Sequence, residues 1–383
     1  MSNKKEQKKV SRRSILKGIA ATAGAAVASV GFPMIAKAQG PINWRWQSTW
    51  PTKDIFHEYA LDYAKKVNDM TGGDLKIEVL PAGSVVPAFG VLDAVSKGTL
   101  DGAHGVIVYH YGKQAALALF GSSPAFGMDA NMNLAWYKYG GGKELRDKLY
   151  SSIGANVVSF LYGPMATQPF GWFKKPISKL EDMKGMKFRT VGLSVDMYTA
   201  MGAAVNALPG AEIVPALDRG LLDGAEFNNA SSDRALGFQD VSKVCMLQSF
   251  HQNAEQFEIL FNKPKFDALP AKMKAILENA AEAANSDMWW KSIDRGSKDY
   301  IWLQTEAKVK FYKTPDAVLH KQLEIFDQIA ERKSAENPMF KEILESQRAF
   351  AKRAVAWDMD YNVGRRMAYN YYFGPKKAPA KKG

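Results

Sequence analysis

The stretch Trp44-Arg45-Trp46-Gln47-Ser48, followed by Phe56, Tyr59, Ala60, Tyr63, Ala64 and Val67 and then by Leu75-Lys76-Ile77-Glu78-Val79, decides the fold class. The first and last pieces alternate apolar and polar residues with the period of a strand, and the middle repeats at helical spacing until Thr71-Gly72-Gly73 stops it. A second helix is predicted from about Val86 to Lys97, with Gly98 where a helix C-cap favours a left-handed residue. Strand, helix, strand, helix in this order predicts βαβ units and an α/β fold with a largely parallel sheet.

An internal echo extends this reading. Lys97-Gly98-Thr99-Leu100-Asp101-Gly102-Ala103 matches Arg219-Gly220-Leu221-Leu222-Asp223-Gly224-Ala225, and each segment follows an amphipathic helix and precedes an apolar, strand-like run. A basic last turn faces the helix dipole, a glycine caps the helix, and a short turn launches a strand. Two lobes that reuse one unit are expected: residues 39–160 mainly the first, 161–265 mainly the second. After Leu269-Pro270, the residues Ile276, Leu277, Ala280, Ala283, Ala284, Met288 and Ile293 keep near-helical spacing, and helix formers continue to about Lys308. Such a helix is on the order of 50 Å long, too long for one lobe, and is expected to brace both. The run from Pro338 to Phe373 also reads as helical and is rich in aromatics; density of this kind near a terminus points to docking on the body or on a partner subunit. Residues 266–373 thus form the bracing helix and C-terminal helices, and 374–383 a basic tail of disordered composition.

At the other end, Ser11-Arg12-Arg13-Ser14-Ile15-Leu16-Lys17 sets paired arginines before an apolar run that closes on Ala36-Lys37-Ala38. Residues 1–38 read as a twin-arginine signal peptide cleaved after Ala38, which places the mature chain in the periplasm. A membrane anchor is the competing reading; the run is short and weakly apolar for a span that needs about 20 apolar residues. The leader carries eight Lys/Arg against one acid, so it accounts for seven of the chain's twelve net positive charges. The basic character is therefore not that of a nucleic-acid-binding surface. Cys245 is the single cysteine and reads as a small buried apolar residue.

Three further stretches carry a resemblance: Pro81-Ala82-Gly83-Ser84-Val85-Val86-Pro87-Ala88-Phe89 with Leu92-Asp93-Ala94-Val95, then Leu180 to Arg189, and Val214 to Gly220 leading to Asp223-Gly224-Ala225-Glu226-Phe227. Together they make the chain similar to the extracytoplasmic solute receptors of TRAP transporters, the DctP type, and within it to members that bind 2-oxo and 2-hydroxy acids. The resemblance implies a two-lobed periplasmic binding protein fold with mixed sheets flanked by helices. It also implies TRAP membrane subunits as partners, and a homodimer through a C-terminal helix in some relatives.

Arg189 ends the strand-like Lys187-Phe188-Arg189, where α/β folds bind ligands, and can fork two N–H donors onto a carboxylate. The resemblance assigns it to the solute carboxylate; a surface salt bridge is the alternative. The same likeness implies that Gln168, Glu226 and the backbone carbonyl of Phe227 hold Na⁺ or Ca²⁺ that also touches the ligand, an all-oxygen set suited to a hard cation. Relatives often carry Trp after the glutamate, so Phe227 implies a smaller pocket wall. His251 and Gln252, in Phe250-His251-Gln252-Asn253, are placed at the cleft rim as candidates for the ligand's 2-oxo or 2-hydroxy oxygen, with a turn-stabilising histidine equally open. Tyr109 and Tyr111 are candidate hydroxyl donors and Phe89 a candidate apolar wall.

An exported enzyme acting on a small carboxylate is the alternative function. Its usual signatures are missing: there is no Gly-x-Gly-x-x-Gly after a strand, no Walker motif, no His-Glu-x-x-His pair and no Gly-x-Ser-x-Gly elbow. An arginine beside a cation site, without a poised nucleophile, fits capture better than turnover.

Overall fold

A computed structural model describes residues 40–375. The predicted signal peptide lies outside these residues, as does all of the basic tail except Gly374 and Pro375. Among the described residues eleven strands form two sheets: β1 (Ile42–Ser48), β2 (Leu75–Leu80), β3 (Gly102–Gly105), β4 (Val157–Pro164), β5 (Gly171–Phe173), β6 (Lys187–Arg189), β7 (Ala204–Asn206), β8 (Gly224–Ala225), β9 (Val244–Leu247), β10 (Gln256–Asn262) and β11 (Lys310–Lys313). The first sheet has the order β2-β1-β3-β10-β4 and the second β11-β9-β5-β8-β6-β7. Each is mixed. β1 is parallel to β2 and β3, and β6 to β7 and β8, whereas β10 and β5 run antiparallel to their neighbours.

The mixed order arises because the chain passes between sheets more than once, from β4 to β5 and back from β9 to β10. β10, inside the segment read as mainly second lobe, pairs with β3 and β4 in the first sheet. A strand that returns from the other lobe enters beside β3 in the opposite direction, which a local sequence pattern cannot reveal.

The alternation read in β1 is real burial: Trp44 and Trp46 face the core while Arg45 is exposed. Asp54 caps the helix Ile55–Met70 by accepting from the Phe56 N–H, and Thr71 ends it with a hydroxyl bonded to the Val67 carbonyl. The predicted helix from Val86 is shorter than its pattern. Pro87 precedes a 3₁₀ turn, Ala88–Gly90, and the α-helix proper is Val91–Ser96.

The internal echo is a structural repeat. Gly98 and Gly220 both adopt positive φ, 77° and 70°. In the first lobe Asp101 Oδ2 accepts the Arg45 N–H at 2.6 Å, and the Asp101 N–H returns to the Arg45 carbonyl. In the second, Asp223 Oδ2 accepts the Lys187 N–H at 3.0 Å and the Asp223 N–H returns to the Lys187 carbonyl. The glycine after each aspartate is demanded by close approach. A Cβ on Gly102 would lie 2.4 Å from the Trp46 ring, and one on Gly224 would lie 2.9 Å from Phe173.

The long helix runs from Ala271 to Thr305 and touches both lobes. Lys291 pairs with Asp62 and Arg295 forks onto Glu58, both on the helix Ile55–Met70 of the first lobe. Arg234, on the second-lobe helix Ala230–Leu236, reaches Asp299 and stacks 3.7 Å over Trp302. Beyond it, the helix Pro338–Tyr361 buries Phe340, Ile343, Leu344, Gln347, Phe350 and Ala351. Of the two expectations for the aromatic terminus, docking on the body holds for Phe340 to Ala351 and does not extend to its end. From Trp357 onward the large side chains are exposed, and the last helix, Arg365–Phe373, buries none of its residues. Among the described residues no helix is long and apolar enough to cross a membrane.

Candidate functional site

The carboxyl ends of the parallel strands in both sheets lead to one buried cavity. β6 delivers Arg189 and β8 delivers Glu226 and Phe227, while β1 and β3 lead to Trp50, Val106, Val108 and Tyr109 on the opposite wall. The crossing segments close it with Gln168, Gln252 and Glu255. Open space for the centre of a water molecule amounts to about 20 Å³, room for one or two waters, so the lobes stand drawn together.

Arg189 is buried, at 1 % exposure, and three contacts fix it. Its Nε donates to the Leu208 carbonyl at 2.8 Å, and Nη1 donates to the Glu226 carbonyl at 3.0 Å and to Glu226 Oε1 at 2.8 Å. Nη2 has no partner in the protein. The guanidinium fork read from the sequence is therefore partly committed, and one nitrogen with its two hydrogens is left for the cavity. The Phe227 ring lies beneath the guanidinium, 5.6 Å from centroid to carbon.

Glu226 is fully buried, and its second oxygen faces Gln168. The Gln168 amide lies against the Phe227 carbonyl and Glu226 Oε2, and with its nitrogen toward them it donates to both, at 2.7 Å and 2.8 Å, while its oxygen accepts from Asn228 Nδ2 at 3.1 Å. That orientation satisfies the amide without an ion; turned over, the amide presents its oxygen beside the carboxylate and the carbonyl, an arrangement that a bound cation would favour. The donors are a carboxylate, an amide oxygen and a backbone carbonyl, so the set fits Na⁺ or Ca²⁺. Among the described residues no cluster of three or more His, Cys, Asp or Glu offers a competing metal site.

The other predicted residues are distributed unevenly. Gln252 lines the cavity, its carbonyl accepts the Gln168 N–H, and its side chain donates to Glu255 Oε2 at 2.5 Å. Tyr109 lines it too, with a buried hydroxyl lacking a partner and a phenol pushed up to about 12, chiefly by burial. His251 stands behind the site: Nδ1 is bonded to Ser249 Oγ at 2.7 Å and Nε2 is 3.9 Å from Glu226 Oε2. Phe89 packs edge-on against the Tyr109 ring, outside the lining. Tyr111 is elsewhere, bonded to Asp196 across the seam between the lobes.

Sequence reasoning missed Glu255 and the wall of Trp50, Val106 and Val108, and it gave Asn228, beside Glu226 and Phe227, no role of its own. An acid two residues before the apolar run Phe257-Glu258-Ile259-Leu260-Phe261 was a usable signal, because such a residue becomes buried once the strand enters a sheet. Beside this cavity, under the long helix, lies a larger apolar one of about 280 Å³ that shares Phe56, Met165 and Asn228 with it. Arg189 and Glu255 line the smaller cavity and Asp233 the larger, and the unpartnered guanidinium nitrogen makes the smaller one the candidate binding site.

Known proteins share this architecture. The chain is 32 % identical over 317 residues to a monocarboxylate 2-oxoacid-binding periplasmic protein of Nostoc sp., covering 83 % of this chain and 86 % of that one. Its fold is similar to a TRAP transporter solute-binding protein of Bordetella bronchiseptica, with a TM-score of 0.82 at 26 % identity over 88 % of this chain and 98 % of that one. That protein is a mixed-occupancy dimer carrying calcium and picolinate in its occupied site. A TRAP periplasmic solute-binding protein of Pseudoalteromonas atlantica, crystallised with sodium and pyruvate, matches with a TM-score of 0.80 at 29 % identity over 87 % of this chain and 99 % of that one. Residues 47–337 match the DctP model, bacterial extracellular solute-binding protein, family 7, and the chain belongs to this family of solute receptors.

Proposed function

We propose that this chain is the periplasmic receptor of a TRAP transporter for a small 2-oxo or 2-hydroxy monocarboxylate, bound through Arg189 and a bridging cation. The observation that carries this reading is the convergence, at one buried site, of the unpartnered Arg189 Nη2 with the Gln168 amide, the Glu226 carboxylate and the Phe227 carbonyl. In this reading Arg189 takes one carboxylate oxygen of the ligand through a charge-assisted hydrogen bond, strengthened by exclusion of water. The Glu226 carboxylate, the Gln168 amide oxygen and the Phe227 carbonyl hold Na⁺ or Ca²⁺, which adds positive charge beside the same carboxylate. Gln252 and Tyr109 complete the polar lining, His251 stands behind Glu226, and Phe89 supports Tyr109.

A ligand shifts an open–closed equilibrium only by its differential affinity for the two forms. Here lobe 2 supplies the charges, lobe 1 the aromatic wall and the crossing segments the rest, so full contact exists only when the lobes meet. Closure about the crossing segments and the long helix then signals loading to the membrane subunits. Export by the twin-arginine route fits a protein that reaches the periplasm already folded.

Calorimetry with pyruvate, lactate and longer 2-oxo acids tests the reading. Arg189→Ala is expected to weaken every one of them by roughly 100-fold or more, as removal of a buried charge partner does. Binding that survives this change at wild-type affinity refutes the assignment. Steady consumption of the acid, in place of saturable binding, favours the exported enzyme.

A second copy of the chain fits the exposed C-terminal surface of Tyr361, Met367, Tyr369, Tyr371, Tyr372 and Phe373, consistent with the dimeric Bordetella relative. Light scattering of the mature protein should give a dimer, and removal of residues 357–383 a monomer that still binds the acid. An intact chain that is monomeric at all concentrations tested rejects the dimer.

A further inference from the structure

Beside the polar cavity lies a second space that the carboxylate end of the ligand does not use. The apolar cavity under the long helix, of about 280 Å³, is walled by Trp172, Leu247, Phe257, Met288 and Phe311, and it shares Phe56, Met165 and Asn228 with the cavity that holds Arg189. Those shared residues form a partition between the two spaces, contributed by the first-lobe helix Ile55–Met70, the segment that follows β4 and the segment that follows β8. The acid in the lining of the larger space, Asp233, has both oxygens engaged, by the Trp172 indole at 2.7 Å and by the Asn228 N–H at 3.1 Å. What the larger space offers a ligand is therefore apolar surface.

We infer that this apolar cavity is a tail subsite of the receptor, which makes its substrates 2-oxo acids with an alkyl chain of about six to eight carbons in all. The carboxylate end stays with Arg189 and the cation, and the chain passes beside Met165 into the space under the long helix. The inference rests on the proposed receptor function and names the substrate class within it. Volume supports it first: the polar cavity has room for one or two waters, so the first carbons of a ligand fill it and further carbons must leave it. An apolar cavity of about 150 Å³ holds benzene, so the larger space has room for about six carbons or more. The partition can also yield. Met165 is fixed through its backbone, whose N–H donates to the Glu255 carbonyl at 3.0 Å, while its unbranched side chain is met at sulfur by Asn228 Nδ2 at 2.9 Å, a weak contact. Phe56 and Asn228 stand on different lobes, so the partition loosens when the lobes part and tightens around the chain when they close.

Calorimetry on the full mature protein, in sodium and in calcium, with the straight-chain series from pyruvate to 2-oxooctanoate tests this. Each methylene placed in the cavity should tighten binding roughly three- to fourfold, so that 2-oxooctanoate binds about 100-fold or more tighter than pyruvate. Affinity that stays level or falls along the series overturns the inference, and this comparison needs no variant to fold. Gly296, on the long helix, lines the cavity, and a Cβ there meets nothing within 4 Å. Gly296→Leu should fill the space, weakening 2-oxooctanoate by roughly 10- to 100-fold and leaving pyruvate within about twofold of wild type. A Gly296→Leu protein that keeps the full long-chain preference overturns the inference, since the chain then lies elsewhere. So does 2-oxooctanoate that binds protein saturated with pyruvate without displacing it, because the cavity is then an independent apolar site. Failure of the underlying reading looks different: wild type then binds no acid of the series, or binds them all equally well after Arg189→Met.

Discussion

The two lobes contain the same turn and use it for different ends. In both, a glycine of positive φ ends a helix, an aspartate accepts a backbone N–H from the neighbouring parallel strand, and a glycine admits an aromatic ring. In the first lobe the strands so aligned lead to Trp50, Val106 and Val108. In the second they end in Arg189 and Glu226. Registration of two parallel strands is a scaffold operation indifferent to the chemistry at their ends, and the two or three residues after each strand decide whether a lobe contributes apolar wall or charge.

The sharpest way to break this asymmetry is Glu226→Ala, which leaves the buried Arg189 Nη1 without its carboxylate and removes one cation donor. Loss of one member of a buried pair costs about 3–5 kcal/mol. Denaturant unfolding should show a shift of that size, and calorimetry should show no measurable binding of the acid. No first-lobe cavity residue is expected to produce both effects, because that wall carries no ion pair.

A finer comparison replaces the two repeat aspartates in turn. Asp101→Ala and Asp223→Ala each remove an acceptor from a strand N–H, at about 1–2 kcal/mol in unfolding experiments. Only Asp223→Ala should also weaken ligand binding, because the strands it aligns carry Arg189 and Glu226 to the cavity. Equal loss of affinity in both variants would show that the lobes contribute alike.

The smallest effect concerns the seam. Asp54, on the first lobe, accepts from Ser232 Oγ on the second at 2.9 Å, and Asp233 accepts from the Trp172 indole at 2.7 Å. Burial pushes both carboxyls up to about 7 from 3.8. Each binds its proton more tightly folded than unfolded, so its stabilising contribution is complete below the unfolded value and is lost as pH rises through about 7. The melting temperature should therefore fall by about 4 °C or more from about pH 5 to about pH 8. Asp54→Asn keeps the oxygen that caps the helix and should flatten that slope; an unchanged slope assigns the dependence to other groups.

The α/β class, the repeat and the length of the bracing helix were legible because each is a local pattern: alternation in β1, 3.6-residue spacing, a glycine at each helix end. The placement of β10 was not, since a strand returning from the other sheet has the same alternation as one that stays. The aromatic run from Trp357 left body and partner subunit both open for a related reason: composition states that a surface wants cover and does not say by what. At the site, Arg189 was marked by its strand end, and Gln168 by the family resemblance alone. Glu255 was missed because an acid in a polar turn looks solvated until its neighbours are known. His251 was read at the rim, and folding put it one layer back, against Glu226.

Chain order alone thus specified which elements form and which residues stand at their ends, because hydrophobic period, capping and turn chemistry act over a few residues. Only the packed molecule decided that the Gln168 amide meets the Glu226 carboxylate and the Phe227 carbonyl, that Arg189 keeps one nitrogen in reserve, and that Glu255 loses water. These depend on groups tens of residues apart meeting where solvent is excluded, and burial, unlike sequence period, is a property of the whole assembly of elements.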